Sequence, residues 1–153
     1  MAIGSVLTNS FKTELLKGFH SFDTSGATPA GSVFKIALYN SSADLGTTTT
    51  AYTTTEELAT ATGYTRPGNT LTNTGVGVST VTSFTDFSDT SWTSASFTAR
   101  GCMIYNTDVL SGFTTNRSVC TIDFGGDKTV SSGTFTIQFP TNDSSDAIIR
   151  ITS

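Results

Sequence analysis

The hydrophobic pattern changes period once along the chain, near residue 32. Before that point Phe11, Leu15, Leu16 and Phe19 recur at helical spacing, while Lys12, Glu14 and Lys17 lie off the apolar stripe. This predicts a short helix capped by Asn9 or Ser10 and weakened at Gly18, with Ser25-Gly26, Pro29 and Gly31 keeping it from resuming. A helix of about ten residues is marginal in isolation. Its stripe is therefore expected to dock, on its own sheet or on another subunit. From Ser32 the period is two: Phe34, Ile36 and Leu38 alternate with Val33, Lys35, Ala37 and Tyr39, as in a half-buried strand.

The rest of the chain reads as short strands between turn signals. Residues 40–50 form a polar loop, and Thr53 placed three residues before Glu56 predicts one helical turn over 53–58 with a capping box. Arg66-Pro67-Gly68 marks a turn within 63–69. Strands are predicted over 70–74, 76–87, 92–106, 117–124, 133–139 and 147–152. They are separated at Ser88-Asp89, Ser111-Gly112, Gly125-Gly126-Asp127, Ser131-Ser132-Gly133 and residues 142–145. The span 92–106 is too long for one ordinary strand, so Arg100-Gly101 is the expected bend or bulge. The implied fold class is all-β: an antiparallel β-sandwich, jelly-roll or Ig-like, over residues 32–153. An N-terminal arm with a short helix, residues 1–31, packs on that domain or extends from it.

Composition narrows the partners. The chain has 153 residues, enough for one domain with a real core. Only 13% of residues are charged, and about a third are Ser or Thr, a bias that goes with disorder when aromatics are few. Here 11 Phe, 4 Tyr and 1 Trp accompany a net charge of −4, so the chain is expected to fold. The eight cations are scattered singly from Lys12 to Arg150, which excludes the basic stripe of a nucleic-acid binder. No apolar run approaches the ~20 residues of a membrane helix. Met1 to Leu7 lacks a cationic start and a long apolar stretch, so no export signal is expected. Threonine suits a strand surface, yet a charge-poor, threonine-rich sheet invites edge pairing. Assembly into an oligomer is one way to manage that.

Candidate chemistry is sparse. The single histidine, His20, falls at the predicted helix C-terminus, where a surface or capping role is expected. One histidine and two distant cysteines make no zinc site. The pairs Asp86/Asp89, Asp123/Asp127 and Asp143/Asp146 could serve acid–base chemistry or calcium, but each sits at a predicted turn, where Asp bonds nearby backbone N–H groups. Asp123-Phe124-Gly125 matches a kinase triplet without the motifs that belong with it. A hairpin over 101–124 with Cys102 opposite Cys120 puts Cys102 and Ile104 on one face with Cys120, Ile122 and Phe124, leaving free thiols and a disulfide both open. Sequons at Asn40, Asn116 and Asn142 are expected by chance in so Ser-rich a chain. Trp92, Tyr64, Tyr105 and Phe113 would make a sugar platform only if exposed together. Core packing is expected for Trp92, and an exposed loop contact for Phe113.

The opening Asn9-Ser10-Phe11-Lys12-x-Glu14-Leu15-Leu16 leads to Phe34-Lys35-Ile36-Ala37-Leu38-Tyr39 and Ala43-x-Leu45-Gly46. Tyr64-Thr65 and Leu71-Thr72 follow, then Trp92-Thr93-x-x-x-Phe97-Thr98-Ala99-Arg100-Gly101 and Ile104-Tyr105-Asn106. The end carries Asp123-Phe124-Gly125-Gly126-Asp127-Lys128, Gly133-Thr134-Phe135-Thr136-Ile137 and Ala147-Ile148-Ile149-Arg150. Taken together this resembles a family of small virion structural proteins of tailed bacteriophages. The resemblance implies a capsid-associated, non-enzymatic protein made in the host cytoplasm. It implies a cement or decoration protein on the capsid surface, bridging major capsid subunits and associating with itself as a homotrimer. No catalytic residue, cofactor or metal is implied, and neither nucleic acid nor membrane is a partner. A tail, fibre or head–tail connector component is the alternative, and a carbohydrate- or host-receptor-binding module is a second. Phe11, Leu15 and Phe19 on the arm, with Leu110 and Phe113 in the loop, are the candidate interaction residues.

Overall fold

The N-terminal helix starts one residue earlier than its sequence implies. Thr8 is still extended and its side chain accepts the Phe11 N–H, so Thr8, not Asn9 or Ser10, caps α1 (Asn9–Leu16). Gly18 takes a left-handed φ of 76°. That lets the Gly18 N–H bond the Leu15 carbonyl and the Phe19 N–H bond the Glu14 carbonyl, ending the helix in a Schellman motif. The computed structural model describes residues 2–26, 31–109, 112 and 114–153.

The fold is all-β, an antiparallel sandwich of two sheets with this one short helix among the described residues. The strands are β1 (Val6–Leu7), β2 (Phe34–Tyr39), β3 (Asn69–Thr70), β4 (Asn73–Ser79), β5 (Thr82–Phe87), β6 (Thr90–Asn106), β7 (Arg117–Ile137) and β8 (Ile149–Thr152). The larger sheet runs β1-β7-β6-β2-β3 and the smaller β4-β5-β8. The main core holds Phe34, Ile36 and Leu38 of β2, with Phe11, Phe22, Tyr64, Phe87 and Trp92. Within it Phe22 stacks on Phe34 at 4.6 Å, and Phe87 meets Phe34 edge-on at 5.4 Å. Phe11 and Phe22 thus tie the N-terminal segment into the sandwich, and β1 adds a ladder to β7.

Strand β2 departs from the half-buried expectation. Its other face, Ala37 and Tyr39, is also buried, in a second cluster with Ile3, Ala43, Leu45, Met103 and Tyr105. The segment that reads as a polar loop folds over the back of the sheet. Ile3 and Leu45 are joined by a bridge, and the Gly4 N–H bonds the Leu45 carbonyl. Across the opposite edge the chain turns tightly against β2 at Gly68, whose φ is +85°. A Cβ there would lie 1.9 Å from the Ile36 carbonyl oxygen, so only glycine fits.

The largest difference from the pattern lies in β6 and β7. The predicted turns at Gly125-Gly126-Asp127 and Ser131-Ser132-Gly133 do not separate strands, because β7 runs on for 21 residues. They are irregularities in its ladder with β6. Gly101 pairs with Asp123 but Ala99 with Lys128, so Arg100 alone faces the extra residues of β7. The bend expected at Arg100-Gly101 is there. Its partner looked like a turn because bulges and turns alike place residues at positive φ, here Gly125 at 72° and Ser132 at 48°. The cysteine register is also offset: Cys102 pairs with Ile122, and Cys120 with Ile104. A shift of two preserves the face, so both thiols lie in the main core, free and buried. Burial pushes Cys120 up to about 12 and Cys102 well above the ordinary thiol range.

Smaller corrections follow from crossings between sheets. The span 76–87 divides at Thr80, φ 52°, into β4 and β5. The strand expected over 70–74 divides too, since Asn69–Thr70 pairs with β2 and Asn73 opens the smaller sheet. No helical turn forms over 53–58. The Thr53 hydroxyl accepts the Thr55 N–H rather than that of Glu56, Glu56 takes a φ of 60°, and Glu57 bridges to Tyr39.

Candidate functional site

Four of the carboxylates at the predicted turns accept backbone N–H groups. Asp89 accepts the Phe139 N–H, Asp143 those of Ser145 and Asp146, and Asp123 that of Gly125 while pairing with Arg100 at 2.8 Å. Asp86 is buried and accepts from the Phe87 and Ile148 N–H groups, and burial raises its pKa despite them. These contacts tie the loops to the strands beside them.

His20 is a core residue, not a surface cap. The turn after α1 drives it inward, 4.9 Å from the Phe11 ring. The Asn106 carbonyl oxygen is taken by the Asp108 N–H, so the Asn106 amide donates to His20 Nδ1 at 3.1 Å. That leaves Nε2–H to donate to Glu14 at 2.9 Å, and the ring is neutral in one tautomer. Burial lowers the His20 pKa more than the Glu14 contact raises it, and the Arg117 guanidinium lowers it further. A histidine held neutral in the fold contributes stability that is complete above its unfolded value of about 6.5. That contribution is lost as pH falls through the depressed folded value. Asp86, with a raised pKa, acts in the opposite sense. We therefore expect His20→Gln to flatten the pH dependence of the unfolding free energy between about pH 7 and pH 5 relative to the parent chain. An unchanged slope would mean that the ring is hydrated.

A second polar network surrounds Glu57. Its carboxylate accepts from the hydroxyls of Tyr52 at 2.5 Å and Tyr64 at 2.8 Å, and Arg66 Nε stands 3.4 Å away. The Tyr64 hydroxyl also accepts the Leu38 N–H, and Tyr39 and Tyr105 donate to the carbonyls of Thr53 and Pro67. Burial first, then Glu57, pushes Tyr52 and Tyr64 far above the ordinary phenol range, so both stay protonated donors. Tyr64, Tyr105 and Trp92 are all buried, so they form no sugar platform.

Two apolar features face outward. The first is a groove of about 800 Å³ on the open side of the sandwich, where β1 and β7 end one sheet. The bulge in β7 brings its two halves together there, with Phe124 and Phe135 6.2 Å apart. Leu7, Ile122, Ile137 and Ile148 complete the wall, and Lys128 is the cation at its margin. The second lies on the smaller sheet. Val78 of β4, Ser83 of β5 and Ile151 of β8 share one face by register, as do Val76, Thr85 and Ile149. Leu15 and Phe22 cover the inner part over a cavity of about 340 Å³. Beyond them Val76, Val78 and Ile151 are 58–73% exposed, with Val81 on the adjoining turn.

Of the residues expected to make contacts, Phe11 is fully buried and unavailable. Leu15 is half-buried against the core, and Phe19 is half-buried with its ring 5.8 Å from the Arg117 guanidinium. Leu16, their neighbour on the stripe, is the exposed one at 92%. Leu110 and Phe113 lie outside the described residues. The valine face was missed because apolar alternation signals a core face, and nothing local says that the cover stops short. No helix is long and apolar enough to cross a membrane among the described residues. No family model, curated protein or solved structure matches the chain.

Proposed function

We propose that the chain is a non-enzymatic structural protein of a tailed-bacteriophage particle. In this reading it is a cement or decoration protein that sits on the capsid surface, self-associates as a homotrimer and bridges major capsid subunits. The observation that carries the docking role is the uncovered strip of Val76, Val78 and Ile151 with Val81 beside it. Isolated surface hydrophobics are ordinary, but several on one sheet face mark a surface that is covered in use. Apolar burial is worth about 25 cal/mol per Å² before association costs. Repetition around a symmetric shell multiplies even a weak contact. The virion setting rests on the sequence resemblance.

Gel densitometry of purified particles tests it. The protein is expected in amounts comparable to the major capsid protein, and adding it back to depleted heads is expected to raise their thermal resistance. The double substitution Val78→Ser and Ile151→Ser changes exposed positions only and should abolish that protection while the domain still folds. Absence from the particle, ring-like low abundance, or protection unaffected by the double variant would each overturn the assignment.

A further inference from the structure

A second surface, the free edge of β7 with the groove beside it, is lined by none of the exposed valines. Strand β1 pairs with β7 only at Thr121 and Cys120. Ser5 exchanges hydrogen bonds with the backbone of Asp123, and the chain before it then leaves for Leu45. Past that point β7 continues to Ile137 with β6 on one side and no strand on the other among the described residues. Its outward N–H and C=O groups therefore run beside the apolar groove. Bare strand edges are normally blunted by charge, proline or bulges. Here Gly133–Ile137 carries neither charge nor proline, its ladder with β6 is regular from Phe135 on, and Phe135 and Ile137 line the groove.

We propose that this seam receives an extended segment of a partner protein, which adds to the β7 edge as a strand. Its alternate apolar side chains enter the groove and an acidic residue meets Lys128. The added strand continues the line that β1 begins on the same edge. Half-exposed Ile122, Phe124, Phe135 and Ile137 supply the pockets for alternate side chains. Lys128, exposed and lining the groove, sets the charge preference in a chain of net charge −4. A lipid chain would fill the groove but leave the backbone edge unpaired. A second copy pairing β7 with β7 would set the irregular Ser131–Gly133 stretch against its own ladder. A foreign strand needs only the regular residues from Phe135 onward.

The test uses the full chain and synthetic octapeptides alternating valine and threonine, ending in two glutamates or two lysines. Controls are a scrambled peptide with its valines contiguous and sodium laurate as an amphiphile. The alternating glutamate peptide is expected to bind about tenfold more tightly than the scrambled one. It should also protect β7 amides within 133–137 from hydrogen exchange. Lys128→Glu, at an exposed site, should reverse the preference between glutamate and lysine ends, and Ile137→Glu should abolish binding of either. Equal binding of the scrambled peptide, or binding without amide protection and displaced by laurate, would overturn the proposal. So would a sedimenting dimer whose β7 amides are protected without peptide. None of these outcomes depends on whether the chain belongs to a virion.

Discussion

Truncating Glu57 to alanine is expected to destabilise the fold by about 3–5 kcal/mol, the usual cost of removing one partner from a buried charged network. The side chain is fully buried and is the shared acceptor for Tyr52 and Tyr64, with Arg66 against it. Its removal leaves the hydroxyl protons of Tyr52 and Tyr64 without their acceptor. It also loosens the loop that Arg66 ties through the carbonyls of Glu57 and Leu58. Glu57→Gln keeps one acceptor oxygen but turns an NH₂ toward the other donor, so about half the loss is expected. Tyr64→Phe should cost about 1–3 kcal/mol by leaving the Leu38 N–H unpaired. Chemical denaturation at neutral pH measures all three. A change under about 1 kcal/mol for the alanine variant would mean that water replaces the carboxylate, and the network would not be the anchor of the back layer.

Arg117→Ala is expected to have an effect of the same size, about 3–5 kcal/mol, or on the order of 10 °C in Tm for a domain of this length. The guanidinium is fully buried and donates to the carbonyls of Asp108, Thr114 and Phe19, and Glu14 lies 3.7 Å from its Nε. One planar side chain thus joins α1, the turn after it and the connection between β6 and β7. Lysine cannot span three carbonyls from one point charge, so Arg117→Lys should recover less than half the loss. Calorimetry gives the magnitude. Hydrogen exchange gives the location: amides of α1 should lose protection before those of β2. Uniform loss across the sheet would show that Arg117 serves the core generally rather than the N-terminal segment.

Neither residue was legible as important beforehand. Glu57 sits in a Thr-rich stretch that reads as one helical turn, and Arg117 opens a predicted strand after a loop. Charged residues are almost never fully buried unless paired, and nothing in the local pattern marks the partners here, near in sequence for Glu57 and distant for Arg117. Tyr64 is seven residues from Glu57, and Phe19 is 98 from Arg117. The same reason hid the burial of His20, whose partner Asn106 lies 86 residues on. Phe11 was legible as apolar and helical, but not as core rather than contact, because an amphipathic stripe is equally satisfied by either.

Sequence alone determined the fold class and several of its elements: a short helix stopped at Gly18, the strand at 34–39, the bend at Arg100-Gly101, and an all-β sandwich around them. Period, capping and turn preference are properties of neighbouring residues, so they are written locally. Tertiary structure decided what faces what. It made Gly125-Gly126 a bulge inside one long strand instead of a turn between two, folded a polar-looking loop over the back of β2, and left the edge of β7 past Asp123 without a strand among the described residues. Those outcomes depend on which surfaces meet across the sandwich, and a one-dimensional pattern of apolar and polar positions carries no term for that encounter.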